Sequence, residues 1–93
     1  MPTALIAEDE PLLAEALQRL LAQAWPELGV LEPARDGDTA LERILSLRPD
    51  VAFLDIRMPG RSGLEVAQAL AAQEGPLPEL VFVTAYDQYA LAA

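Results

Sequence analysis

Four side chains in this 93-residue sequence stand out as able to do chemistry: the carboxylates of Glu8, Asp9 and Asp55, and the hydroxyl of Thr84. Carboxylates gathered at one point repel one another, and withdrawing them from water adds to the cost. A hard divalent cation relieves both effects. A site built only of oxygen ligands suits Mg²⁺ or Mn²⁺ rather than zinc or copper. Mg²⁺ typically takes one or two carboxylates, keeps several waters and accepts a phosphate oxygen. Beside such an ion an Asp can attack a phosphoryl group, because the cation neutralises charge that develops in transit. Thr84 would then offer its hydroxyl to the resulting phosphate. The competing explanation is purely structural, since acids at strand ends often cap the next helix. Convergence of the four decides between the two.

Convergence depends on the elements that carry these residues. The run Ala4-Leu5-Ile6-Ala7 is apolar without alternation, as expected of a strand covered on both faces. It stops at Glu8-Asp9-Glu10-Pro11, where Pro suits a first helical turn and acids complement the dipole. Leu12, Leu13, Ala16, Leu17, Leu20, Leu21 and Ala24 follow at helical spacing. After Trp25-Pro26, the segment Val30 to Ala34 predicts a second strand, with Pro33 confining it to a sheet edge. Asp36-Gly37-Asp38 predicts a turn, a cap at Asp38 and a helix burying Ala40, Leu41, Ile44 and Leu45. Val51-Ala52-Phe53-Leu54 is a third strand ending in Asp55, and an irregular loop follows to Gly63. Gly60 and Gly63 supply its unusual backbone angles. A third helix turns Leu64, Ala67, Leu70 and Ala71 inward, and Leu80-Val81-Phe82-Val83 is a fourth strand closed by Thr84. Tyr86 to Ala93 begins a fourth helix.

Strands alternating with helices predict an α/β fold: a three-layer, doubly wound parallel sheet with right-handed crossovers. Ligands in such sheets bind outside the carboxyl ends of the strands. Glu8-Asp9, Asp55 and Thr84 all fall at those ends, so the fold puts them on one rim.

Composition narrows the chemistry further. The chain is 53% hydrophobic, which argues against disorder, and its length allows one small domain. Its formal charge of −9 repels phosphate backbones and anionic lipid, so neither nucleic acid nor a membrane is expected as a direct partner. The absence of Cys and His excludes disulfides, thiolate and imidazole catalysis and ordinary zinc sites. The first residues fit neither a signal peptide nor a membrane span, which makes the cytoplasm the expected compartment. No P-loop or dinucleotide fingerprint is present.

The three rim motifs together resemble the response-regulator receiver (CheY-like) family. Glu8-Asp9-Glu10-Pro11 is similar to its acidic pocket. Asp55-Ile56-Arg57-Met58-Pro59-Gly60 with Ser62-Gly63-Leu64-Glu65, and Val81-Phe82-Val83-Thr84-Ala85, are similar to its later signatures. The flanking residues look most like receivers of LytTR/AlgR-type regulators, which carry a DNA-binding domain. The resemblance implies a flavodoxin-like strand order 2-1-3-4 and a receiver domain over residues 1–93. It implies Asp55 as phosphoacceptor, and Mg²⁺ held by Asp9, Asp55 and the carbonyl of Arg57, with Glu8 acting through water. Thr84 is implied as the switch hydroxyl, and a sensor histidine kinase as the phosphodonor.

The sequence also departs from that family. Receivers continue into a fifth strand and helix, and a Lys and an aromatic switch residue on the fifth strand complete the pocket. This sequence contains no Lys, and Tyr86 and Tyr89 come too early to be that aromatic. The expectation is therefore a receiver lacking strand and helix five, impaired in phosphorylation, and self-associating through the strand 4 and helix 4 side. Its self-phosphorylation and autodephosphorylation would serve switching rather than dedicated catalysis. Two other functions compete. A Mg²⁺-dependent phosphatase of the haloacid-dehalogenase type needs a second Asp two residues after the first, where Arg57 stands. A non-phosphorylated interaction module would need no intact pocket. Arg57 and Arg61 flank the pocket and could steer a phosphorylated donor, while Trp25 reads as a packing residue.

Overall fold

The computed structural model describes residues 1–83; Thr84, Tyr86, Tyr89 and the expected fourth helix lie outside the described residues. Seven elements alternate along them: β1 (Thr3–Ala7), α1 (Pro11–Ala24), β2 (Gly29–Val30), α2 (Gly37–Leu47), β3 (Val51–Asp55), α3 (Gly63–Ala71) and β4 (Glu79–Val83). The strands form one parallel sheet in the order β2-β1-β3-β4. This is the doubly wound parallel sheet expected from the alternation, in the flavodoxin-like order that the family resemblance implies.

Successive residues of the central strands point to opposite faces, and both faces are covered. Leu5, Ala7, Ala52 and Leu54 pack with Ala40 and Ile44 of α2 and Val66 and Leu70 of α3. Ala4, Ile6 and Val51 pack with Leu21 of α1 and with Leu28. That double burial is why β1 and β3 read as unbroken apolar runs.

The peripheral elements differ from expectation in instructive ways. β2 is only two residues long, and an isolated bridge joins Ala7 to Ala34 beyond it. Pro33 has no N–H to give to a ladder, so pairing lapses between Leu31 and Ala34. The cap of α2 is Asp36, not Asp38: its carboxylate accepts the Thr39 N–H at 2.7 Å and the Thr39 hydroxyl at 2.9 Å. In α3 the inward residues are Gly63, Val66 and Leu70, while Leu64 and Ala71 are exposed. α1 buries Ala14 and Leu21 and leaves Leu12 and Leu20 exposed, and Trp25 at its end is 40% exposed.

The chain's path explains the site. From β1 it winds outward through α1 to β2, then returns past β1 through α2 to β3. The order therefore reverses between β1 and β3, and a crevice opens beyond their carboxyl ends.

Candidate functional site

β1 and β3 each end in acid. Glu8 follows the last residue of β1, and its N–H donates to the Ala34 carbonyl at 2.9 Å, which fixes its backbone. Asp55 is the last residue of β3, in register with Val83 of β4. Both are 8% exposed, the only buried charged residues among those described. Asp9 is exposed at the mouth. One carboxylate oxygen from each of Glu8, Asp9 and Asp55 lies within 4.8 Å of the other two. The three sequence-predicted carboxylates therefore meet in a single cluster.

The helix-capping explanation does not account for them. Glu10 occupies the N-cap position of α1 but makes no side-chain cap bond, and Pro11 begins the helix. A Glu8 oxygen accepts the Glu10 N–H at 3.0 Å, a local turn bond that leaves the carboxylate facing its neighbours. Burial drives the Glu8 carboxyl up to about 7; the Glu10 N–H opposes this rise, and the Asp55 charge adds to it. Like charges are thus held together against their own repulsion. A bound cation would remove that penalty.

Asp9, Glu10, Asp55 and Arg57 line an open cleft of about 490 Å³, with Leu13, Met58 and Pro59 as its apolar walls. The Arg57 N–H points at Asp55 Oδ1 from 3.4 Å, placing the loop that joins β3 to α3 alongside the acid. A smaller apolar recess lined by Leu13, Leu17, Phe53 and Val83 adjoins Glu8 and Asp55. A separate groove of about 250 Å³ lies at the other end of the sheet, between Arg48–Asp50 and Gln73–Pro78. No grouping of possible metal ligands among the described residues lies in it; the one such grouping is Glu8, Asp9 and Asp55.

Two features escaped the sequence reading. Arg61, which the sequence places beside the pocket, donates through Nε to Asp38 Oδ1 at 2.9 Å. Gly63 has no unusual backbone angle; φ is positive at Gly60 (73°) but not at Gly63. Gly63 is required for space, because a Cβ there would sit 2.2 Å from the Asp55 carbonyl oxygen. Both are contacts between residues distant in sequence or across a loop, and no local pattern announces them.

The donor set fits a hard cation: oxygen only, close together, and open to water on one side. No helix among the described residues is long and apolar enough to cross a membrane.

Comparison with known proteins points the same way. Residues 4–93 match the response regulator receiver domain family. The positive alginate biosynthesis regulatory protein of Pseudomonas aeruginosa is 51% identical over 90 residues, covering 96% of this chain and 36% of that protein. The sensory transduction protein LytT of Bacillus cereus is 40% identical over 89 residues, covering 96% of this chain and 35% of LytT. Thus the chain spans about a third of the length of the curated relatives it matches. Among solved structures, response regulator TrrA of Thermotoga maritima, in complex with Mg²⁺ and BeF, superposes with a TM-score of 0.82 at 34% identity. That match covers 96% of this chain and 74% of TrrA.

Proposed function

From the premise that this chain belongs to the response regulator receiver domain family of two-component signalling, we propose that residues 1–93 act as a phosphoacceptor receiver. Asp55 is the acceptor and a sensor histidine kinase the donor. The observation that carries the reading is the Glu8–Asp9–Asp55 cluster at the one place where the sheet order reverses. Asp9, Asp55 and the carbonyl of Arg57 would hold Mg²⁺, with Glu8 contributing through water. When bound, the ion supplies charge neutralisation for the acids and for the transferred phosphoryl oxygens.

This chain's residues do the rest. An Asp55 oxygen attacks phosphorus as the N–P bond to the donor imidazole breaks. The departing imidazole takes up a proton and leaves as the neutral ring. The depth of Asp55 limits the directions of approach, and the open cleft above it admits the donor side chain. Thr84 turns its hydroxyl to the new phosphoryl group and relays the change to a downstream output, in the LytTR-type regulators a DNA-binding domain. The cytoplasm is the compartment this reading assigns to the chain.

Incubation with acetyl phosphate, or with beryllofluoride, in the presence of Mg²⁺ tests this reading by mass spectrometry and amide NMR. An adduct lost in Asp55→Asn supports it. Turnover of small phosphoesters instead would indicate a phosphatase, and no response at millimolar Mg²⁺ would indicate a module without phosphoryl chemistry.

Self-association is the second element of the proposal. Val81 and Phe82 of β4 are 40% and 42% exposed, an unusual degree for apolar residues of a parallel sheet. Light scattering across a concentration series tests it; a mass that stays monomeric at high concentration counts against it.

A further inference from the structure

The loop from Ile56 to Ser62 carries one proposed metal ligand, and the structure shows what holds that loop in place. At its base the Gly63 N–H donates to the Ile56 carbonyl at 3.0 Å. Its far side rests on the first turn of α2, more than twenty residues away in sequence. There the Gly37 N–H donates to the Pro59 carbonyl at 3.1 Å, and Arg61 Nε donates to Asp38 Oδ1 at 2.9 Å. Both contacts depend on missing side chains. A Cβ on Gly37 would lie 1.9 Å from the Arg61 carbonyl oxygen, and one on Gly60 would lie 2.7 Å from Asp38 Oδ2. The turn beneath is itself fixed, because Asp36 caps α2 through the Thr39 N–H and hydroxyl.

We propose that the first turn of α2 is a seat for the β3–α3 loop, and that Asp38 and Arg61 act through it as positioning residues for the cation site. This rests on the receiver reading above. Pro59 sits both on the seat and in the wall of the acidic cleft, two residues after Arg57. Movement of the loop off α2 therefore moves the Arg57 carbonyl relative to Asp9 and Asp55. The ion pair is half exposed, with side chains 46% and 66% accessible, so its leverage is modest and screened by salt.

Long-range electrostatics and seating make opposite forecasts for Arg61. If only charge mattered, Asp38→Asn would weaken Mg²⁺ binding and Arg61→Gln would strengthen it. Seating requires both to weaken it. The test is Mg²⁺ titration of the 93-residue chain by amide NMR at low salt, with thermal melts of each variant. We expect each single substitution to weaken Mg²⁺ binding about two- to fivefold without lowering Tm by more than a few degrees. The exchanged pair, Asp38→Arg with Arg61→Asp, should return affinity to within twofold. Gly37→Ala should weaken binding more, about tenfold, although Ala is the better helix former, so a weakened helix cannot be the cause. Hydrogen exchange at the Gly37 amide should quicken in both single variants, an effect independent of the metal. Opposite signs for the two single substitutions, or wild-type binding in both, overturn the seat while leaving the receiver reading intact. Silence of the unaltered chain at millimolar Mg²⁺ overturns the metal reading, and the positioning role with it.

Discussion

Along β1 and β3 and at their carboxyl ends lie two regions that are both buried and energetically opposite. In their middles, Leu5, Ile6 and Leu54 are fully enclosed by apolar neighbours, each contact favourable on its own account. One or two residues on, Glu8 and Asp55 are nearly as enclosed, yet each meets a like charge. The first region stabilises the fold, whereas the second draws on that stability to keep acids where water would otherwise separate them. A short chain tolerates the second because the first is continuous across three layers. Departures from local optimality of this sort mark functional sites.

The contrast is broken most severely from the apolar side. Leu54→Ala removes a fully buried side chain between α2 and α3 and should destabilise the protein by about 2–5 kcal/mol. Urea unfolding checks this, and a loss below about 1 kcal/mol would mean that the layer repacks freely. Next in size is Gly63→Ala. The added methyl meets backbone at the Asp55 carbonyl rather than a side chain that can swing away. We expect a loss of about 1–3 kcal/mol together with weaker Mg²⁺ binding, since the strain falls on the acceptor residue itself. Unchanged stability and unchanged affinity would show that the α3 N-terminus yields without disturbing the site.

From the acidic side the sign reverses. Glu8 has its folded value raised to about 7, above its value in the unfolded chain near 4.5. Between those limits the folded protein holds a proton that the unfolded chain has released. Stability contributed by this group is therefore full below about 4.5 and lost as pH rises through about 7. Glu8→Gln should stabilise the metal-free protein by on the order of 1 kcal/mol at pH 8 and flatten its pH dependence. Thermal melts at pH 5 and pH 8 measure this. Mg²⁺ should raise Tm more at pH 8 than at pH 5 in the unaltered chain, where the acids are ionised and available. A variant less stable than the parent at pH 8 would show that Glu8 holds structure rather than strain.

How much of this was legible in the sequence follows from the range over which each feature is determined. The strand–helix alternation and the acids at strand ends are local, and they sufficed for a doubly wound parallel sheet and for the meeting of Glu8, Asp9 and Asp55; the strand order came from the family resemblance. Features set by neighbours in space were not legible. Asp36 and Asp38 are both good caps, and only the turn's geometry selects Asp36 for Thr39 and frees Asp38 for Arg61. Leu12, Leu20 and Leu64 share the helical periodicity of the core residues yet lie exposed, because packing rather than spacing decides which turns of a helix meet the sheet. The Gly37 and Gly63 contacts belong to surfaces that exist only once the chain has folded.

The smallest expected effect sharpens the comparison by separating support of the loop from support of the helix. Ser62 caps α3: its hydroxyl accepts the Glu65 N–H at 3.1 Å, and the Glu65 carboxylate accepts the Ser62 N–H at 2.9 Å. The second of these bonds holds the Glu65 carboxyl below its usual range. Ser62→Ala removes half of this reciprocal pair and should cost about 0.5–1 kcal/mol in urea unfolding. The loop's base bond from Gly63 to Ile56 and its seat on α2 are untouched by the change. Mg²⁺ affinity should therefore stay within about twofold, although Ser62 is closer in sequence to Asp55 than Asp38 is. A loss of affinity equal to that of Asp38→Asn would mean that the acidic cleft responds to any weakening nearby. Preserved affinity with reduced stability would show that the cleft is governed by contacts across the loop, not by the strength of the helix that follows it.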